Sequence, residues 1–215
     1  MVQKFIFIFI MVSSVIFAEN VVSLYGGYQV AADSKVKGVD QNGNAFNFTA
    51  QWEGKSFTPP LYYGLRFTHW YENDWGVSLD FSHAKVYADT STLQKSGFEI
   101  LEFTDGLNIL TINALKRYPS ISHDWVLYWG VGVGVSIPHV EVKTTSNVLR
   151  TFEYQVAGFA FQGQVGIAYP IVDAWSLFTE LKINHTINDV DLYGGGNLQT
   201  NITTSAVNFG VNYSF

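Results

Sequence analysis

The sequence predicts an all-β fold, an eight-stranded antiparallel transmembrane β-barrel with a filled polar lumen, long extracellular loops and short periplasmic turns. Eight segments alternate apolar and polar residues with a period of two, as β-strands do. In these segments one face is large and apolar and the other is small, polar and partly charged, which is typical of a barrel that meets lipid on its outside. Charged residues make up 14% of the 215-residue chain, whereas soluble domains carry about 25%.

The eight predicted strands are separated by turn residues and follow one another along the chain. They cover residues 20–32, 60–71, 75–87, 107–118, 125–137, 154–169, 175–187 and 202–215. In the third strand every second residue from Trp75 to Phe81 is large and apolar, and the residues between them are Gly, Ser and Asp. A closed barrel lets strands cross a membrane without an unpaired edge. Eight strands enclose a space that side chains can fill, so we expect a plugged lumen rather than a pore.

The connections between the predicted strands alternate between long and short. Long connections cover residues 33–59, 88–106, 138–153 and 188–201, and short ones lie at 72–75, 119–125 and 170–175. Long extracellular loops and short periplasmic turns are the layout of outer-membrane barrels. Trp75, Trp125 and Trp175 each end a short connection, which predicts an aromatic girdle at the periplasmic interface. The last strand ends on Phe215 and resembles the signal read by the barrel assembly machinery, so we expect that machinery as a partner.

The first 18 residues have the layout of a secretory signal peptide. Lys4 gives a positive start, residues 5–12 form an apolar core, and Ala18 is a small residue before a cleavage point. We therefore divide the chain into a signal peptide, residues 1–18, and an outer-membrane β-barrel domain, residues 19–215. The alternative is an N-terminal anchor, which is disfavoured because the apolar core is shorter than the ~20 residues of a spanning helix.

Composition excludes several classes of function. The chain has no Cys, which excludes disulfides and thiol chemistry. Its net charge of −6 argues against nucleic acid as a partner, because nucleic acid binds basic surfaces. After removal of the signal peptide we expect a monomer in the outer membrane of a Gram-negative bacterium.

Four charged residues are predicted to point into the lumen: Arg66, Asp80, Glu180 and Lys182. Two acids and two bases at similar depth allow either a proton or ion path or a paired network that fills a closed lumen. The paired network is favoured, because unpaired buried charges are costly and these four can neutralise one another.

Three predicted strands change from apolar to polar on their outward face at about one height. The first polar residues are His83, eight residues after Trp75, His139, ten after Trp129, and His185, ten after Trp175. A strand tilted ~45° climbs roughly 2.3–2.5 Å per residue, so these His residues lie about 19–25 Å above the girdle. Because the apolar band of such barrels is ~25 Å tall, they mark the outer boundary of the hydrocarbon layer.

His83, His139 and His185, with the polar residues that follow them on the outward face, are called the rim residues. They allow two interpretations. In the first they anchor the barrel by contacting lipid phosphates and sugars. In the second they act on the lipid head group, with His as a general base or a metal ligand and with Glu141 and Asp189 completing a coordination shell. The third and seventh strands lie opposite each other in an eight-stranded ring, so their outward side chains diverge unless the strand ends bend inward. A bulge at Pro138, which cannot donate to the ladder, would allow such a bend.

Several stretches of the chain, loops included, resemble the lipid A oxidase family of rhizobial-type bacteria, within the small eight-stranded outer-membrane β-barrels. These stretches are "QWEGKSFTPPLYYGLRFTHW" (51–70), "WGVSLDFSHAKVYAD" (75–89), "SGFEILEFTDGLNILTINAL" (96–115), "PHVEV" (138–142), "TFEYQ" (151–155) and "NDVDLYGGGNLQT" (188–200). Extracellular loops are the variable part of barrels that share only a fold, so a resemblance that includes them is the more specific.

This resemblance implies an enzyme that uses O₂ to oxidise the proximal glucosamine of lipid A to an aminogluconate unit, with release of hydrogen peroxide. Lipid A, within lipopolysaccharide, would be its partner and O₂ its co-substrate. The chain has no flavin or nicotinamide motif, so the cofactor is not identified by the sequence; a divalent metal, iron or copper, is the hypothesis that goes with this resemblance, since His and carboxylates suit either ion.

The site residues predicted on this basis fall into three groups. They are His83, His139, Glu141 and His185 as catalytic residues, with Asp105 behind them; Lys85 and Lys143 as ligands of lipid phosphates; and His139, Glu141, Asp189 and Asp191 as metal ligands. The alternative function is a non-catalytic outer-membrane barrel, an envelope stabiliser, adhesin or receptor, whose rim residues only contact lipopolysaccharide. A narrow channel is disfavoured by the filled lumen.

Overall fold

The computed structural model describes residues 19–120 and 124–215, so the predicted signal peptide lies outside the described residues. The described part contains twelve strands and one helix. In chain order they are β1 (Glu19–Ala31), β2 (Ser34–Val39), β3 (Ala45–Ala50), β4 (Trp52–Glu53), β5 (Tyr63–Trp70), β6 (Trp75–Ala88), α1 (Thr90–Ser96), β7 (Phe98–Pro119), β8 (Val126–Thr144), β9 (Arg150–Tyr154), β10 (Gly158–Val172), β11 (Trp175–Asp191) and β12 (Asn197–Ser214). Within these residues no helix is long and apolar enough to cross a membrane.

Eight of the strands close into an antiparallel ring, which confirms the predicted barrel. The order around the ring is β1, β5, β6, β7, β8, β10, β11 and β12, and β12 pairs back onto β1. The closing ladder runs from the pair Val21 and Ser214 to the pair Ala31 and Thr204. Phe215 extends it, since its amide donates to the carbonyl of Asn20. The ring leaves no unpaired edge at membrane depth, as spanning strands require.

The outer wall is apolar and the inner wall is small or polar, as the alternation predicts. Val133 is 60% exposed and Phe209 64% exposed on the outside, whereas Thr111 and Asn113 are buried inside. At the end of the short turns the ring of Trp75 lies 6.2 Å from that of Trp129, in a T-shaped contact on the outer surface. This wall is the surface that a barrel presents to lipid.

One network of paired charges crosses the lumen, and a cavity of about 270 Å³ lies between it and the end of the barrel with the short turns. Arg66 donates to Asp80 over 2.7 Å and to Glu180 over 2.8 Å, and the ammonium of Lys182 lies 2.8 Å from Asp80. The hydroxyl of Tyr25 donates to Asp80 over 2.6 Å. The predicted pairing of two acids with two bases is therefore present, and the side chains close the lumen.

The strands extend further beyond the apolar band than the sequence pattern indicates. β7 begins at Phe98 and β8 ends at Thr144, whereas the predicted strands begin at 107 and end at 137. The extensions find partners for their backbone groups, because β9 pairs with β8, β4 pairs with β6, and the β2–β3 hairpin pairs with β12. Parts of the predicted extracellular loops are therefore regular sheet.

The inward faces of these extensions form an apolar core above the charged network. Val86, Leu101, Val140 and Val142 are each at most 1% exposed and belong to it. This core holds the outer ends of β6, β7 and β8 together. It also determines which residues of these strands lie on the opposite, outer face, where the predicted site residues are found.

Candidate functional site

His139 and Glu141 keep the outward phase of β8 beyond the apolar band. The residues that alternate with them, Val140 and Val142, are in the inner core, so the strand does not turn over at Pro138. Pro138 pairs in register with Leu107 of β7. Pro138 therefore borders a register irregularity, whose extra residues lie in the neighbouring strand β7 rather than at Pro138 itself.

β7 carries the bulge that shapes the outer face. Glu102 pairs with Glu141, and the next pair joins Leu107 to Pro138, so four residues of β7 lie opposite two residues of β8. The same segment is irregular against β6. Extra residues in one strand bend it and push part of it out of the ladder. Here the segment Asp105–Gly106 lies between the imidazoles of β6 and β8.

His83 of β6 lies on one side of this segment. Its ring stacks on Tyr63 with centroids 5.1 Å apart, and it is 6% exposed. Its Nδ1 lies 2.8 Å from Oδ1 of Asn108. Because a carboxamide oxygen can only accept a hydrogen bond, Nδ1 must carry the proton in this contact. Nε2 then has no proton and presents a lone pair. Within the described residues this buried Nε2 has no hydrogen-bond partner.

His139 of β8 lies on the other side. It is 4% exposed, and its ring meets the edges of Phe152 and Tyr154 in β9 with centroids 4.4 and 4.6 Å apart. Its Nδ1 faces Oδ2 of Asp105 at 3.8 Å and has no hydrogen-bond partner among the described residues. The hydroxyl of Tyr154 donates to the Asp105 carbonyl over 3.2 Å. An imidazole facing a carboxylate is the arrangement of an oriented general base, and such contacts are often long without substrate.

Carboxylates lie next to this pair on the outer face. Glu141 pairs with Arg150 of β9, whose guanidinium lies over the Phe152 ring. Glu102, paired across the ladder with Glu141, is above the apolar band, and burial together with the Glu141 charge raises its pKa. Burial and Glu102 raise the pKa of Tyr87 to about 12. The site therefore combines two imidazoles with three carboxyl groups that have different partners.

The two predicted phosphate ligands have other partners. Lys85 is fully buried, and its ammonium donates to the carbonyls of Thr58 and Pro59 over 2.8 and 3.3 Å, which contradicts a contact with lipid phosphates. The cause is a register shift in β6 after Ala84, which places Lys85 beneath the loop before β5. Burial also lowers the pKa of Lys85. Lys143 is partly exposed and pairs with Glu99 over 2.6 Å.

The remaining predicted residues lie on another wall. His185 is on β11, which is opposite β6 in the ring, and its Nδ1 lies 2.9 Å from Oγ1 of Thr203. Asp189 accepts hydrogen bonds from the carboxamides of Asn197 and Gln199, over 3.3 and 2.8 Å, and Asp191 is exposed. The structure therefore brings together His83, His139 and Glu141 but leaves His185 apart from them.

The predicted metal shell is not assembled. It requires His139 and Glu141 of β8 to converge with Asp189 and Asp191 of β11, but β10 separates these strands and their outward side chains diverge. Across residues 19–120 and 124–215, no group of three or more His, Cys, Asp or Glu is arranged to hold a metal ion. The donor set therefore does not fit the expected iron or copper centre.

Some residues of the site have no signal in the sequence. Asn108, Tyr63 and Phe152 are close to the imidazoles because their strands are neighbours in the ring, and nothing in their local patterns indicates it. Asp105 is different, because it stands in the motif "EFTDG" (102–106), in which an acid and a glycine interrupt a strand pattern.

Gly106→Ala is expected to lower the free energy of unfolding by about 2–5 kcal/mol and to displace His83. The backbone φ of Gly106 is +102°, and an added Cβ would lie 2.4 Å from ring atoms of His83. The φ cost is ~1–2 kcal/mol and the overpacking cost ~1–3 kcal/mol. Urea titration of the folded barrel measures the sum.

Gly43→Ala is the matched control for the Gly106 substitution. Its φ is +83°, and nothing lies within 4 Å of an added Cβ, so it measures the backbone cost alone. Equal losses of stability in the two variants would show that Gly106 does not pack against His83.

Comparison with solved structures identifies the architecture. Neisserial surface protein A (NspA) is similar, with a TM-score of 0.50 and 12% identity over 91% of this chain and 97% of that chain. The chain has the fold of the small outer-membrane β-barrels. The Yersinia pestis attachment invasion locus protein Ail (TM-score 0.43, 11% identity, 92% of this chain and 98% of that chain) is also similar to this barrel. So is the outer membrane protease OmpT of Escherichia coli (TM-score 0.43, 9% identity, 95% and 99%). No protein-family model and no curated protein matches the barrel.

Proposed function

We propose that the barrel is an enzyme of the Gram-negative outer membrane that oxidises the proximal glucosamine of lipid A to an aminogluconate unit. The observation that carries the proposal is the pair of imidazoles beside Asp105 on the outer face of the wall, directly above the apolar band. On that face the neighbouring molecules are the lipids of the outer leaflet. Their head groups, rather than a ligand inside the lumen, are therefore the substrates within reach.

The chain's own residues supply acid–base chemistry. His139 accepts the proton of the anomeric hydroxyl of the sugar, and Asp105 stabilises the imidazolium that forms. The oxidant is O₂. The anomeric carbon gives up its hydrogen with both electrons of the C–H bond as the hemiacetal becomes a lactone. O₂ accepts these two electrons together with that proton and the hydroxyl proton held by His139, which gives hydrogen peroxide, and water opens the lactone to the acid. The iron or copper ion expected from the sequence has no part in this proposal, because its predicted ligands do not converge.

A second candidate is the non-catalytic barrel that only contacts lipopolysaccharide. It is favoured by the ion pairs of Lys143 with Glu99 and of Arg150 with Glu141, which give two predicted site residues a structural explanation. In this case the rim residues would stabilise the strand extensions, and the protein would not modify lipid A.

Mass spectrometry of lipid A from cells with and without the protein separates the two candidates. We expect a product heavier by one oxygen only when the protein is present and only when the cells grow with O₂. Unchanged lipid A, with the folded barrel present in the outer membrane, would exclude the enzyme and leave the second candidate.

The predicted contact with the assembly machinery rests on the C-terminal strand. Phe215 is exposed, and its ring stacks on Tyr213 with centroids 6.1 Å apart. An exposed aromatic residue that continues the β12 ladder supports that proposal.

A further inference from the structure

A polar groove lies on the outer wall away from the imidazoles. It has a volume of about 720 Å³ and runs over β11, β12 and the β2–β3 hairpin. Its polar lining includes Lys35, Lys37, Asn47, Asp189, Gln199 and Asn201. We call it the β2–β12 groove. The site of His83 and His139 belongs to β6–β9, on a different part of the ring, so one head group does not fill both.

The groove begins directly above the apolar band. Leu181 and Ile183 on β11 are exposed apolar residues, and Ile187, four residues after Ile183, already lines the groove. At ~2.4 Å of height per residue, Ile187 lies about 10 Å above Ile183 and is the last exposed apolar residue of β11. This is the level of the head groups of the outer leaflet.

Two ammonium groups in the groove form no ion pair in the part of the chain that the structure describes. Lys35 and Lys37 are exposed, point to the same face of β2, and have no ion-pair or hydrogen-bond partner within the described residues. Two such residues are separated by ~7 Å along a strand. Two acids, Asp33 and Asp189, also line the groove, but neither forms an ion pair with these lysines within the described residues. The carboxylate of Asp189 accepts hydrogen bonds from the carboxamides of Asn197 and Gln199 instead.

We propose that the β2–β12 groove binds the phosphorylated saccharide head group of a lipopolysaccharide molecule other than the substrate. Lys35 and Lys37 contact its phosphates as point charges, and the carboxamides of Asn47 and Asn201 bond to sugar hydroxyls. The proposal rests on the outer-membrane location proposed above but not on the oxidation of lipid A. It would give the barrel a resident lipid on the part of the ring away from His83 and His139.

Because the chain contains no Cys, a single introduced thiol reports on the groove. Thr49→Cys in the full-length purified barrel carries an environment-sensitive dye beside the groove, because Thr49 is exposed, lies opposite Lys35 in the β2–β3 ladder and is not part of the groove lining. Phosphorylated lipopolysaccharide in detergent is titrated against it. Lys35→Gln combined with Lys37→Gln is expected to weaken binding about 25-fold, since each lysine near a charged lipid surface contributes about fivefold. Lys116→Gln, at the periplasmic end, is the control and should bind as the parent does.

The other arms of the titration decide against the proposal. Equal binding of dephosphorylated lipopolysaccharide, or unchanged binding in the double variant, would overturn it. An equal dye response to inorganic phosphate would make the groove a free-anion site and would also overturn it. Lipid A oxidation is measured in the same preparations. Groove binding without any oxidised product would refute the proposed enzyme and leave the groove proposal intact.

Discussion

Arg66→Met is expected to lower the free energy of unfolding of the barrel by about 3–5 kcal/mol, because it removes one partner from a buried ion network. Arg66 donates to both Asp80 and Glu180, and all three side chains are at most 4% exposed. Lys182 then remains as the one cation beside two carboxylates. Methionine fills the space of the aliphatic part of the Arg66 side chain, so the loss comes mainly from the unpaired charge rather than from a cavity.

The measurement is urea unfolding of the barrel in lipid vesicles, followed by the heat-modifiable migration of the folded form. Lys55→Met is the control, because Lys55 pairs with Glu53 over 3.4 Å while both side chains are about half exposed. A surface pair of this kind contributes about 0–1 kcal/mol. A similar small change in both variants would mean that the lumen charges are solvated rather than mutually paired.

Asp105→Asn and His139→Ala are each expected to lower the rate of aminogluconate formation by about 10²–10⁴-fold, the range of general acid–base catalysis. The carboxamide introduced by Asp105→Asn keeps the shape of the side chain but no longer stabilises an imidazolium at His139. Asp105 is half exposed, so Asp105→Asn should accumulate as folded barrel normally. His139 is buried against Phe152 and Tyr154, so the amount of folded His139→Ala is measured and the rate is given per folded barrel. The rate is followed by mass spectrometry of lipid A incubated with the purified barrel and O₂.

His185→Ala distinguishes the site seen in the structure from the one expected from sequence. His185 lies on β11 with Thr203 as its partner, away from Asp105, so the variant should retain the parent rate. Loss of activity in His185→Ala with full activity in Asp105→Asn would refute the site on β6–β9. Loss in all variants together with loss of the folded form would be an effect on assembly, and the migration assay detects it.

Much of the barrel follows from residues that are close in sequence. Alternation with a period of two predicts each long strand, because adjacent side chains in an extended chain point to opposite faces. The same parity places Arg66 and Asp80 inside and Val133 outside, and the structure confirms all three. The bounds of the strands were harder to predict, since β7 and β8 extend past the membrane on pairings with β9 and on the core around Val140.

The candidate site depends much more on tertiary structure. The sequence placed three His residues at one height above the aromatic girdle. That height is counted along each strand separately, so it does not tell which strands are neighbours in the ring. Lys85 has the parity of an outward residue and is nevertheless buried, because β6 shifts register at that residue and the loop before β5 covers it.

The sequence by itself therefore determined the strands, their inner and outer faces, the balance of charge in the lumen and the outward phase of His139 and Glu141. The tertiary structure alone decided that His83 and His139 share one site, that Asp105 lies between them, and that His185 and Asp189 lie elsewhere. The physical reason is that the period of a strand is set by its own backbone. Which side chains meet is set instead by the order of strands in the ring and by bulges, which involve residues far apart in the chain.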